Sequence, residues 1–182
     1  MSAPYFLPIC IGDETFDFSH LEPFTLDVDS EKAGRTLVVH VRFTAHCFTK
    51  GYSAETHPDG EPILRDHGGR ERTFCRTRYA LSSKLRGLIE SLAYPRVKVW
   101  QTAERRNWAH SVTVDTPKGP YHVFFELRKA PGGCQYKQDL NLVVESAYPE
   151  DPALGKPNLL GNMAFVLLCG KVFLRESVAT RR

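Results

Sequence analysis

Between Arg105 and Tyr148 the sequence concentrates the side-chain types that acid/base chemistry on a phosphodiester requires: His110, His122, Glu126 and Ser146, with Arg105, Arg106, Arg128 and Lys129 beside them. Cleavage of RNA by its own 2′-hydroxyl needs a base, an acid and cations that hold the charge of the phosphorane. This set supplies all three without a cofactor or a metal. It forms no motif of fixed spacing, so its weight depends on which residues the local structure brings to one face.

The elements that must position these side chains are strands predicted at 96–102, 109–115, 121–129 and 140–147. The short Pro/Gly connection at 116–120 makes the second and third an antiparallel hairpin. Val112 and Val114 have to share the core face with Val123, Phe125 and Leu127, because a slip of one residue would expose one of those sets. The expected pairing sets Asp115 opposite His122, Thr113 opposite Phe124 and Ser111 opposite Glu126. His122, Glu126, Asp115 and Arg128 then share the other face. By the same alternation His110 and Ser146 fall on the core side of their own strands. A half-buried antiparallel sheet carries one polar face in any case, so these residues also read as plain surface.

Upstream, strand-like runs occur at 15–18, 24–28 and 36–43, followed by a long Gly/Pro/Asp-rich loop over 50–72. Leu81, Leu85, Leu88, Ile89 and Leu92 form one apolar stripe and predict a helix over 77–93, ended by Tyr94-Pro95. The run 159–174 fits a helix, a strand pair or a mixture. The expected fold is α+β, a helix packed on an antiparallel four-stranded sheet with an additional β-rich N-terminal part. Residues 1–72 would form that extension and 73–182 the core domain, or the two would make one continuous globular unit.

Composition, with 42% hydrophobic and 25% charged residues, is that of a folded globular chain. Residues 61–110 hold 11 Lys and Arg against 5 acids, nine of the cations being Arg, while the whole chain is only +3. Guanidinium makes bidentate contacts with phosphate, so this basic middle suits RNA; intramolecular ion pairs on a solvated face are the plain alternative. The first residues carry no basic segment ahead of an apolar run, and no stretch is long and apolar enough for a bilayer, so a cytoplasmic protein is expected. Five scattered cysteines without a C-x-x-C pair argue against a disulfide framework. His46, Cys47, Asp66, His67 and Cys75 compete as a zinc set, although structural zinc usually brings tighter paired spacings. No Walker loop, G-x-G-x-x-G, H-E-x-x-H or G-x-S-x-G occurs. A non-catalytic module that binds RNA or protein through the Arg-rich 61–110 region and stacks bases on Phe124, Trp100 or Trp108 is the remaining alternative.

Arg78-Tyr79-Ala80-Leu81 in the helix, Val97-Lys98-Val99, Arg106, His110, the strand Tyr121–Leu127, and Leu142-Val143-Val144-Glu145-Ser146-Ala147-Tyr148-Pro149 occur in an order that resembles the barnase/EndoU/colicin/RelE-like ribonucleases, especially those of prophages and polymorphic toxins. The resemblance covers about residues 74–150. It implies metal-independent RNA cleavage, with His110, Arg106, Glu126 and Ser146 in catalytic roles, and an antitoxin or immunity protein as partner. His122 joins that catalytic set from the strand pattern, and Arg105, Arg128, Lys129 and Arg78 are the expected RNA contacts.

Overall fold

The computed structural model describes residues 3–103, 109–116, 119–132, 137–150 and 155–180, with backbone alone at 109 and 110. Arg105, Arg106, Trp108, Cys134 and the side chain of His110 lie outside the described residues.

Strand is the commonest element among the described residues, well ahead of helix. The expected helix on a four-stranded antiparallel sheet is replaced by a seven-stranded mixed sheet. In chain order the elements are β1 (Ile9–Ile11), β2 (Glu14–Phe16), β3 (Phe24–Ser30), β4 (Arg35–Phe43), β5 (Thr49–Gly51), β6 (Ile63–Arg65), β7 (Glu71–Phe74), α1 (Arg76–Ser82), α2 (Leu85–Ser91), β8 (Lys98–Thr102), β9 (Ala109–Thr116), β10 (Gly119–Lys129), β11 (Leu140–Pro149), β12 (Leu159–Ala164) and α3 (Phe165–Phe173). The large sheet runs β12-β8-β9-β10-β11-β4-β3, and β5-β7-β6 form a small sheet of their own. β4 lies parallel to β11, Val39 beside Leu140 and Val41 beside Leu142. The N-terminal strands β3 and β4 therefore share one sheet with the strands of the expected core. Periodicity in either segment cannot announce that pairing, because it joins residues about a hundred positions apart.

One face of this sheet is the core. Leu37, Val39, Val41, Tyr121, Val123, Phe125, Leu127, Leu140, Leu142 and Val144 are sealed on it by strict alternation. α3 covers that face with Phe165, Leu168 and Val172, and Phe165 meets Phe125 edge-on at 5.9 Å. Each such large side chain contributes roughly 1.5–3 kcal/mol by leaving water. Gly170 lets α3 approach the β3–β4 hairpin, since a Cβ there would stand 2.5 Å from Ser30 Oγ.

The expected helix over 77–93 is two short ones. Leu81, Leu85, Ile89 and Leu92 are buried as the stripe requires, but Ser82 Oγ donates to Tyr79 O and Ser83 Oγ to Ala80 O. Hydroxyls bonded back onto the preceding turn compete with the helical ladder and bend it. α1 accordingly stops at Ser82 and α2 restarts at Leu85.

The β9–β10 hairpin also differs from its expected register. Thr113 faces His122, Ser111 faces Phe124 and Asp115 faces Pro120. Both strands run further into the turn than expected, to the pair Thr116 and Gly119, where Gly119 takes φ +98 and Thr116 Oγ1 donates to its carbonyl. A left-handed φ is cheap only for glycine. The shift is two residues, so every side chain keeps its face and only its neighbours change.

Candidate functional site

The face of the sheet opposite the core carries the candidate site. Strict alternation along β11 would bury Ser146 with Leu140, Leu142 and Val144, and the structure corrects this. A bulge lies between the pairs Phe125–Val144 and Phe124–Ser146, with Glu145 as the extra residue. One added residue reverses the alternation beyond it. Ala147 is then the buried one, while Ser146 and Tyr148 turn to the open face opposite Phe124 and His122. Thr44 stabilises the irregular segment by donating its hydroxyl to Glu145 O at 2.6 Å.

This open face forms the floor of a cavity of about 810 Å³. The strands supply Arg42, Phe124, Val143, Glu145, Ser146 and Tyr148; the N-terminal segment supplies residues 5–9; the β6–β7 hairpin supplies Leu64, Arg65, Asp66, His67 and Arg70. Phe124 and Tyr148 are stacked at 5.3 Å with their planes 22° apart. Arg42 lines the cavity, is exposed, and has no ion pair among the described residues. Arg78 braces the floor: its guanidinium sits 5.1 Å from the Tyr148 ring and donates to His46 O and Thr49 O.

His46 also lines the cavity, at the end of β4, where Thr44 Oγ1 caps the short turn Ala45–Cys47 by accepting from His46 N. Its Nε2 lies 2.9 Å from Asp66 Oδ2. Asp66 is itself fixed by Gly68 N, Arg70 N and Arg70 Nε at 2.9–3.0 Å, and its side chain is 4% exposed. His46, foremost, and then Arg70 hold that carboxyl well below the usual carboxylate range. Burial pulls the His46 imidazole below its ordinary value, partly offset by the bond to Asp66. The imidazole is thus neutral at pH 7, with Nε2–H directed at a fixed anion. Its Nδ1 has no partner among the described residues, and the side chain is 21% exposed.

The predicted site residues divide. Ser146 lines the cavity. His122, Glu126 and Arg128 share the same sheet face outside the cavity wall. His122 is 4% exposed, with Nδ1 bonded to Thr113 Oγ1 at 2.9 Å, Nε2 buried without a hydrogen bond, and Glu150 at 3.8 Å. Its pKa is lowered by burial, against a smaller opposing pull from Glu150. Glu126 is paired with Arg128 at 2.6 Å. Lys129 stands on the core side, donating to Phe173 O at the end of α3. The backbone of His110 pairs with Phe125 and Gln101.

Of the zinc set, Cys47 is buried in the core with its Sγ toward Val144 O, and burial pushes its thiol up to about 12. Among the described residues no group of three or more His, Cys, Asp or Glu is arranged to hold a metal ion. No helix among the described residues is long and apolar enough to cross a membrane. In the sequence His46 and Asp66 stand together only as members of the zinc set, whereas the structure pairs them directly, and Arg42 carries no signal of its place in the cavity. The available signal was Asp66-His67-Gly68-Gly69-Arg70, in which an Asp before glycines accepts from the backbone two and four residues on.

No curated protein and no solved structure matches the chain. Residues 8–173 match the family model of the YjaZ family, and the chain belongs to that family.

Proposed function

We propose that the chain binds single-stranded RNA in the cavity on the open face of its sheet and cleaves it without a metal. The observation that carries this reading is the bulge at Glu145, which turns Ser146 and Tyr148 out of the core to join Phe124 and Arg42 around one cavity. A flat base stacks on paired aromatic rings, and such stacking contributes about 1–3 kcal/mol per base. A guanidinium that has no ion pair among the described residues suits the adjoining phosphate. Arg42 and the Phe124–Tyr148 pair supply these two features in the lining of one cavity.

Binding of a fluorescently labelled oligoribonucleotide, followed by anisotropy in the presence of a chelator, tests this. Phe124→Ala is expected to weaken binding about tenfold, and Arg42→Ala to weaken it to a similar degree and flatten its salt dependence. Absence of saturable binding, or a Phe124→Ala protein that binds like the wild type, would refute the reading. A non-catalytic RNA-binding module is the second reading. It is favoured by the enclosure of His122, and it predicts binding with the RNA left intact.

A further inference from the structure

We infer that His46, oriented by Asp66, is the catalytic base of this cavity, a role that rests on the RNA reading and is not carried by the enclosed His122. An effective base needs one nitrogen anchored and the other reachable. His46 fits both: Nε2 is tied to a carboxylate held by three further donors, and the ring, 21% exposed, lines the cavity with Nδ1 unbonded among the described residues. His57 and His20 do not. His57 spends one nitrogen on Thr73 and the other on Glu61 O, and His20, bonded to the Ser82 hydroxyl, does not line the cavity.

The charged groups around the His46 ring are Asp66 and Arg70 of the β6–β7 hairpin and Arg72 of β7. Arg78 of α1 reaches the His46 carbonyl. The anion nearest the ring stabilises the imidazolium that forms when the base takes a proton, while burial first, and then Arg72 and Arg70, lower the pKa of the resting imidazole. Asp66 is a positioning residue, since it touches His46 and not the substrate.

In the step this arrangement serves, Nδ1 takes the proton of a ribose 2′-hydroxyl. The 2′-oxygen forms a bond to the adjacent phosphorus and the bond from phosphorus to the 5′-oxygen breaks. The departing oxygen takes a proton from water, and the imidazolium returns its own to solvent. The products are a 2′,3′-cyclic phosphate and a 5′-hydroxyl, with no change of oxidation state and no metal.

The test uses the full chain with chelator present, one labelled oligoribonucleotide, and a second probe of the same sequence made wholly of 2′-deoxynucleotides. Expected are cleavage of the first alone, binding by His46→Gln within about twofold of the wild type, and a cleavage rate lower by about 10²–10⁴-fold in that variant. Glutamine keeps a donor toward Asp66, and a melting curve checks that the variant is folded. Asp66→Asn supplies a second readout. Losing the anion lowers the His46 pKa further, so the acid limb of the pH–rate profile moves to lower pH, which a merely structural residue would not cause. Wild-type cleavage rates in His46→Gln, an unmoved acid limb in Asp66→Asn, or wild-type binding without cleavage would each overturn the role of His46 while leaving RNA binding intact. Failure of the wild type to bind RNA would overturn both.

Discussion

His122 and His46 lie on the same side of one sheet, and each has one ring nitrogen fixed by a neighbour. They differ in what holds them and in what the second nitrogen meets. His122 is anchored by the Thr113 hydroxyl, and its other nitrogen is buried without a hydrogen bond. His46 is anchored by a carboxylate that four donors satisfy, and its ring lines the cavity with the other nitrogen unbonded among the described residues. Sequence position would favour His122, which stands in a strand among other candidates. What decides between them is access and the charge of the anchor, and neither quantity is a property of the strand alone.

The largest expected effect is on stability. His122→Ala removes a ring that fills the space beside Phe124 and Tyr148, with ring contacts at 6.4 and 6.0 Å. It is expected to cost about 2 kcal/mol in urea unfolding, the cavity term being partly offset by removal of an unpaired buried nitrogen. His122→Phe fills the same space without that nitrogen, and it should stay within about 1 kcal/mol of the wild type while retaining RNA cleavage. A His122→Phe protein that is stable yet inactive would transfer the catalytic role back to the hairpin.

The alternation of β4, β10 and the first half of β11 was legible in the sequence, because those strands are buried on one face and their apolar residues must recur every second position. The topology was not. The β4–β11 pairing depends on long-range packing, and the split of the expected helix depends on two serine hydroxyls whose alternative hydrogen bonds carry no periodic signal. The site was half legible for related reasons. His122, Phe124 and Glu126 were assigned to the correct face because the hairpin slipped by an even number of residues. Ser146 was assigned to the wrong one because the bulge at Glu145 contains no glycine or proline to mark it. The His46–Asp66 contact joins residues 20 apart across a strand end and a hairpin, beyond the reach of any argument from a single element.

A smaller effect is expected on the pH dependence of stability. His20, His40, His46 and His122 are each held below their ordinary value, burial being the first cause in every case. The unfolded chain therefore binds protons that the folded one refuses. Their contribution to stability is full above the unfolded histidine value, about 6.5, and is lost as pH falls from there toward the lowered native values. Urea midpoints are expected to decline between pH 7 and pH 5, and His122→Phe should make that decline shallower. An equal slope in the variant would mean that His122 is not among the groups that resist protonation.

The smallest effect concerns Glu150. Its carboxylate lies 3.8 Å from His122 Nε2, is one-quarter exposed, and partly offsets the loss of basicity that burial imposes on the ring. At pH 7.5 the ring is neutral, so Glu150→Gln should leave stability unchanged. At pH 5 the substitution removes the anion that the protonated ring would pair with, lowers the native pKa further, and so enlarges the acid penalty. Exposure and salt screening limit this to about 0.2–1 kcal/mol. The expected signature is a pair of unfolding curves that coincide at pH 7.5 and separate at pH 5, with the separation shrinking in high salt. Because Glu150 touches His122 and does not line the cavity, the same substitution should leave RNA cleavage at its wild-type rate. A cleavage defect in Glu150→Gln would show that the two histidines serve a single site.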